Sequence, residues 1–122
     1  MELKERFYLV DSEGEKFMGL GVLWLLEAIE AESSLRKAAA SMGLSYSKAY
    51  MMIERLERNL DQQIVIRKHG GADRTGATLT PFAIEFIKLF KDFQMRMEAH
   101  AATEYEAFGK ALGLLKEEYD GR

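Results

Sequence analysis

A pair of helices joined by a tight turn is the prediction that most constrains this chain, and it occupies residues 33–60. Ser34 suits the cap of a short first helix, residues 35–42, because its hydroxyl accepts a hydrogen bond from a free amide of the first turn. Gly43 follows the last apolar residue of that helix, where a left-handed glycine commonly ends a helix. Two helices separated by three or four residues form a helix-turn-helix, so the sequence indicates a mainly helical fold.

The second helix of the pair is predicted to begin after Ser45 or Ser47, either of which can cap it, and to end near Leu60. The face of this helix opposite its apolar residues is polar, and basic near the N-terminus of the helix. This is the pattern of a helix that enters the major groove of DNA. An ordinary helical hairpin is the alternative, because helix–glycine–helix units are common in all-α domains. The apolar residues are spaced three or four apart and form one buried stripe, made of Ala49, Ile53, Leu56 and Leu60.

A β-hairpin is predicted directly after the second helix. Residues 62–68 form a β-branched apolar run that ends in charge, residues 69–76 are polar and glycine-rich, and residues 77–80 return as a short strand. This order predicts a winged helix-turn-helix, whose wing can reach phosphates or the minor groove. The candidate DNA-contacting residues on the first helix, the second helix and the wing are Ser34, Arg36, Ser45, Tyr46, Ser47, Lys48, Tyr50, Met51, Arg55, Arg67, Lys68 and Arg74.

The segment L-R-K-A-A-A-S-M-G-L-S-Y-S-K-A-Y-M-M-I-E-R-L, followed by I-V-I-R and L-T-P-F, resembles the DNA-binding domain of molybdate-responsive regulators of the ModE type, which are relatives of the LysR-type regulators. The resemblance covers about residues 5 to 95 and includes F-M-G-L-G-V-L-W-L-L-E-A-I. It implies DNA binding and dimerisation in a bacterial or archaeal protein. The full-length molybdate regulators also carry tandem oxyanion-binding modules that have no counterpart here, so we expect no small-molecule effector for this chain.

The distribution of charge supports double-stranded DNA as the partner. The whole chain has a net charge of −3, but residues 33–80 contain eight basic and four acidic residues, a net charge of +4. The remaining residues contain nine basic and sixteen acidic residues, a net charge of −7. Basic charge is therefore concentrated in the predicted winged helix-turn-helix, as electrostatic attraction to phosphates requires. A module that binds only proteins is the alternative, and this basic cluster favours DNA.

Two elements precede the helix-turn-helix. A hairpin is predicted at residues 6–18, around the turn signal at Asp11–Gly14, and a helix at residues 22–31. Trp24 lies off the apolar stripe of this helix. Packing on the N-terminal hairpin or on a partner subunit are alternatives for it, and we expect it to pack in the core. The stripe itself is formed by Val22, Leu25, Leu26 and Ile29.

A long last helix is predicted from Pro81 to about Lys116, with a possible break near Gly109. A domain of about 75 residues is too small to cover its apolar stripe, so the stripe predicts a partner surface and a homodimer. A helix that folds back on its own domain is the alternative. The chain is accordingly predicted to divide into a DNA-binding domain, residues 1–80, and a dimerisation helix with its tail, residues 81–122. The candidate dimerisation residues are Phe86, Phe90, Phe93, Met97, Ala101, Tyr105, Phe108 and Leu112.

No pattern of catalytic residues, cofactor-binding loop or metal ligands occurs in the sequence. His69 and His100 are far apart in sequence, and no His-x-x-x-His or phosphate-binding glycine loop is present. A ligand sensor that uses the dimer seam as a pocket lacks support from polar residues in the seam. The absence of cysteine suits a reducing cytoplasm, and the charged N-terminus is neither a signal peptide nor a membrane anchor. We therefore expect a cytoplasmic protein that is not an enzyme and has no membrane partner.

Overall fold

The computed structural model describes residues 1–68 and 76–121. Its elements are β1 (Leu9–Val10), β2 (Lys16–Met18), α1 (Leu20–Glu32), α2 (Leu35–Ser41), α3 (Tyr46–Leu60), β3 (Val65–Arg67), β4 (Ala77–Leu79) and α4 (Pro81–Asp120). This order confirms the predicted winged helix-turn-helix with an N-terminal hairpin and a long C-terminal helix. The chain divides into two compact units, Phe7–Lys88 and, separately, Met1–Arg6 with the chain from Leu89 onward. The functional division at residue 80 stays a prediction.

The N-terminal hairpin pairs β1 with β2 in antiparallel fashion. The Asp11 carboxylate accepts hydrogen bonds from the amides of Glu13 and Glu15, at 2.8 and 3.0 Å, and so closes the turn. Gly14 has a φ of +84°, a left-handed conformation that glycine adopts without a steric penalty. Met18 at the end of β2 is fully buried, which joins the hairpin to the core of this unit.

Helix α1 supplies much of the core, and its predicted stripe is buried. Trp24 is 55% exposed, so the expectation that it packs in the core was wrong. Its position off the stripe turns it outward, and size alone does not bury a side chain when the helix face points to solvent. The buried residues of α1 are Val22, Leu23, Leu25, Leu26 and Ile29.

Helix α2 begins and ends as its residues predict. The hydroxyl of Ser34 accepts a hydrogen bond from the amide of Lys37 at 3.2 Å. Ala38 and Ala39 are buried, and these small side chains allow α3 to cross close to α2. Gly43 has a φ of +67°, which lets the chain turn sharply between the two helices.

Helix α3 is capped by Ser45 and not by the alternative, Ser47. The Ser45 hydroxyl accepts a hydrogen bond from the amide of Lys48 at 3.1 Å. Ala49, Ile53 and Leu56 are fully buried, whereas Leu60 at the end of the stripe is only half-buried. The helix ends at Asp61, which adopts a left-handed conformation with a φ of 52°.

The wing is the antiparallel pair of β3 and β4, in which Val65 lies opposite Leu79 and Arg67 opposite Ala77. Beyond the strands, the amide of Lys68 donates to the carbonyl of Gly76 at 2.8 Å. Residues 69–75 of the predicted tip, including His69 and Arg74, lie outside the described residues.

Helix α4 begins at Pro81 and continues to Asp120, with no break at Gly109. Its first turn is capped by Thr80, whose hydroxyl accepts a hydrogen bond from the amide of Ala83 at 3.1 Å. The same hydroxyl donates to the carbonyl of Gln63 at 2.7 Å, which ties the start of α4 to the base of the wing. Over the described residues, no helix is apolar enough along a sufficient length to span a bilayer.

Candidate nucleic-acid interface

The outward face of α3 is continuous and accessible. Ser47 and Lys48 in the first turn are exposed, and Met51 in the next turn is 57% exposed. These residues lie away from the buried stripe, which faces the core through Ala49 and Ile53. The hydroxyl and ammonium groups on this face can donate to base edges and phosphates, and the thioether can contact a thymine methyl group.

The N-terminal end of α3 carries two aromatic residues one turn apart. The rings of Tyr46 and Tyr50 are 6.2 Å apart and tilted. The guanidinium of Arg36, which belongs to α2, lies 5.2 Å from the centre of the Tyr46 ring. This cation–π contact holds a positive charge of α2 beside the first turn of α3.

The wing contacts α3 through a second cation–π pair. The guanidinium of Arg67 lies 4.0 Å from the centre of the Tyr50 ring. Its Nε and one terminal nitrogen, Nη2, are buried without a hydrogen-bond partner. Lys68, the next residue, is exposed. The stacking thus aligns the positively charged end of β3 with the N-terminal half of α3.

The base of the wing is tied to the other end of α3 by Glu57. One oxygen of its carboxylate, Oε2, accepts hydrogen bonds from the amides of Ile64 at 2.9 Å and Val65 at 3.3 Å. Both apolar residues are buried, and a buried amide without an acceptor costs about 1–3 kcal/mol. The sequence analysis missed Glu57, because a hydrogen bond to residues seven and eight positions later has no recognisable spacing.

The predicted DNA-contacting residues do not all lie on this surface. Ser34 is only 2% exposed and caps α2, so its side chain has no free surface to offer to DNA. Arg55 is half-buried and approaches the carbonyl of Lys16 on β2 with its Nη1 at 3.5 Å, which turns it toward the N-terminal hairpin. Ser34 and Arg55 therefore do not lie on the exposed face of α3 with the others. Ser34 caps α2, and Arg55 lies at the edge of that face, beside β2.

One residue beyond the predicted set shares the outward face. Arg58 is exposed and lies one or two turns after Met51 and Glu54, on the side opposite the buried stripe. Residues 47, 51, 54 and 58 are spaced three or four apart and share one helix face, so the sequence also indicated the place of Arg58.

An open cleft of about 680 Å³ lies between the C-terminal half of α3 and β3, and its lining includes Arg58, Glu54 and Arg67. In the part of the chain that the structure describes, no group of acidic or histidine side chains has a metal-binding arrangement.

The apolar residues of α4 are unevenly exposed. Phe90 is 4% exposed, whereas Phe93 and Phe108 are 40% and 57% exposed. The rings of Phe90 and Phe93 lie 6.5 Å apart. The other residues of the predicted dimerisation set are half-buried: Phe86, Met97, Ala101, Tyr105 and Leu112.

Comparison with known proteins identifies relatives of this architecture. The family described as bacterial regulatory helix-turn-helix proteins of the lysR family matches residues 20–83. The chain is 32% identical over 72 residues to the molybdenum transport protein ModE of Herbaspirillum seropedicae, which covers 59% of this chain and 27% of that protein. It is 29% identical over 89 residues to ModE of Azotobacter vinelandii, covering 73% of this chain and 33% of the relative. The chain thus spans about a third or less of these relatives.

Solved structures share the fold at lower identity. The CbnR_DBD–DNA complex superposes with a TM-score of 0.55 at 18% identity, and covers 74% of this chain and 97% of that chain. The BenM_DBD/benA site 1 DNA complex gives a TM-score of 0.52 at 20% identity, with 73% and 94% of the two chains covered. At these identities the similarity concerns the fold.

Proposed function

Because the chain belongs to the lysR family of bacterial regulatory helix-turn-helix proteins, we propose that it is a sequence-specific transcriptional regulator that binds double-stranded DNA as a homodimer. Helix α3 enters the major groove, and the wing contacts the phosphate backbone or the minor groove. The two similar structures described as DNA complexes have the same fold, which supports this assignment. The ModE relatives are named for molybdenum transport, but the match is limited to about a third or less of their length, so we propose no effector.

The observation that carries the proposal is the alignment of the wing with α3. Arg67 stacks on Tyr50, so the positive charge at the end of β3 lies beside the N-terminal half of α3, which also bears the exposed Ser47 and Lys48. A helix in the major groove places its neighbours close to the flanking phosphates, where cations add affinity that does not depend on sequence. Base-reading and phosphate-binding groups therefore lie on adjoining surfaces.

The homodimer gives this surface a second half-site. Most soluble homo-oligomers have closed two-fold symmetry, and such a dimer presents two α3 helices to DNA sites about one helical turn, or a multiple of it, apart. The exposed Phe93 and Phe108 on α4 supply apolar surface for the pairing. The operator is accordingly expected to be a near-palindrome.

Selection of binding sites from random duplex DNA with the purified chain tests this function. An enriched palindromic sequence is the expected result, with stronger binding at low salt. Failure to enrich any sequence, combined with no detectable duplex binding at low salt, would favour the alternative, a winged helix that binds a protein through the same face.

Lys68→Ala tests the role of the wing. Lys68 is exposed beside the stacked Arg67, so its loss should weaken binding to all duplex sequences alike. If Lys68 contacts one phosphate, the slope of log affinity against log salt concentration should fall by about one unit. The matched control is Lys110→Ala on α4, an exposed lysine paired with Glu106, which removes the same charge. An equal change in slope for both variants would assign the effect to net charge and remove the wing from the interface.

A further inference from the structure

Glu57 makes hydrogen bonds to the wing that a residue touching DNA directly would not need. It lies in the last turn of α3, and Oε2 of its carboxylate accepts the amide hydrogens of Ile64 and Val65. These two residues begin the wing, beyond the left-handed turn at Asp61. A single carboxylate oxygen thus joins the end of one element to the start of the next.

The amides of Ile64 and Val65 both bond to Glu57 at the start of the hairpin. Near its base, the amide of Thr80 donates to the carbonyl of Ile64, whereas the two amides donate to Oε2 of Glu57. Both residues are buried, so water is a poor substitute for the carboxylate. Since a charged acceptor makes stronger hydrogen bonds than a neutral one, the carboxylate is well suited to this position.

The strand that Glu57 anchors is the one that carries Arg67. Glu57 and Tyr50 are seven residues apart, two turns on the same side of α3, or about 10 Å along the helix axis. Glu57 accepts a hydrogen bond from the amide of Val65, and the guanidinium of Arg67 stacks on Tyr50, 4.0 Å from the ring centre. Two attachments along one helix fix both the position and the direction of β3.

We propose that Glu57 is the positioning residue of the DNA interface: it holds the wing against α3, so that the phosphate-contacting and base-reading groups meet DNA as one rigid surface. This inference rests on the proposed function. Without the anchor, the wing no longer holds its phosphate-contacting groups beside α3, which lowers affinity without changing the base-reading groups of α3. Glu57 therefore acts through the wing and not on the bases.

The test compares Glu57→Ala with Glu30→Ala, a change at an exposed residue of α1 in the same unit. Both variants remove one negative charge, and charge alone predicts equal or tighter binding to DNA for each. We expect Glu30→Ala to follow that rule. Glu57→Ala should instead bind the selected operator roughly tenfold more weakly, with the smaller salt slope expected of a wing that no longer contacts phosphate. Its preference among operator bases should stay as in the unaltered chain, because α3 is unchanged.

Amide hydrogen exchange supplies a reading that does not require DNA. In Glu57→Ala the amides of Ile64 and Val65 should exchange roughly tenfold to a hundredfold faster, whereas the amide of Ala49 within α3 keeps its protection. Glu57→Gln retains an acceptor oxygen and should restore part of both the protection and the salt slope. If Glu57→Ala does not fold, Glu57→Gln against Glu30→Gln gives the same comparison with smaller differences.

The outcomes separate this inference from the proposed function. Unchanged exchange of Ile64 and Val65 in Glu57→Ala overturns the anchoring role. Faster exchange with DNA binding equal to that of Glu30→Ala overturns the role in positioning for DNA. If the unaltered chain binds no duplex, the proposed function fails and the positioning role for DNA fails with it, while the exchange measurement still shows whether Glu57 anchors the wing.

Discussion

Phe93→Asp is expected to convert the dimer into monomers or aggregates and to lower operator affinity by roughly a hundredfold to ten-thousandfold. Affinity falls because the two chains that bind the two half-sites are no longer joined. In a dimer, the second half-site is bound at a high effective concentration, and avidity of this kind exceeds the single-site affinity by about 10²–10⁴. Separate chains must bind each half-site as an independent event.

The physical reason lies in the exposed aromatic surface of α4. Phe93 is 40% exposed and Phe108 is 57% exposed, although each aromatic side chain gains roughly 1.5–3 kcal/mol when it is removed from water. Pairing with a second copy, as proposed, would bury both rings. A carboxylate at position 93 would be buried within that seam without a partner, which is strongly unfavourable. The same reasoning predicts a comparable loss for Phe108→Asp.

Sedimentation at micromolar concentration measures the first effect, and operator titration measures the second. Glu98→Lys is the control, because Glu98 is exposed on the same helix and lies outside the predicted seam. It should leave the dimer intact. A sedimenting mass of 13.9 kDa for the unaltered chain, the mass of one copy, would contradict the dimer and with it the two-half-site operator.

Local chemistry made most of the fold predictable. The cap Ser34 and the left-handed Gly43 each satisfy a requirement set by their immediate neighbours, so spacing alone located them. The stripe of α3 was predictable for the same reason, since a helix that buries one face must repeat its apolar residues every three or four positions. The choice of Ser45 over Ser47 required coordinates, because both residues meet the local requirement.

The interface was less predictable, because it depends on contacts between elements. Ser34 has a hydroxyl group that could donate to a phosphate, yet packing around the cap leaves this residue buried. Arg55 lies on the polar side of α3, and only the position of β2 shows that its guanidinium approaches a backbone carbonyl. Glu57 looked like an ordinary charged helix residue until the course of the chain after α3 placed two amides beside it.

Lys48→Ala is expected to weaken binding to the selected operator by about 1–3 kcal/mol, roughly 5- to 150-fold, if its ammonium reads a guanine. Lys48 lies in the first turn of α3, and its amide is held by the Ser45 hydroxyl, so the backbone that carries the side chain is fixed. The side chain itself is exposed beside Ser47. Its loss removes donors without disturbing the core.

Titration against operators altered at single bases distinguishes base reading from phosphate binding. A base-reading Lys48 predicts that Lys48→Ala loses preference at one position of each half-site and keeps it elsewhere, because the remaining α3 groups still read their own bases. Lys68→Ala is the comparison, since a phosphate contact weakens all operators in the same proportion. A uniform loss in Lys48→Ala would move Lys48 from the bases to the backbone. Unchanged affinity in both variants would mean that α3 and the wing do not face DNA, and would favour a protein as the ligand of this surface.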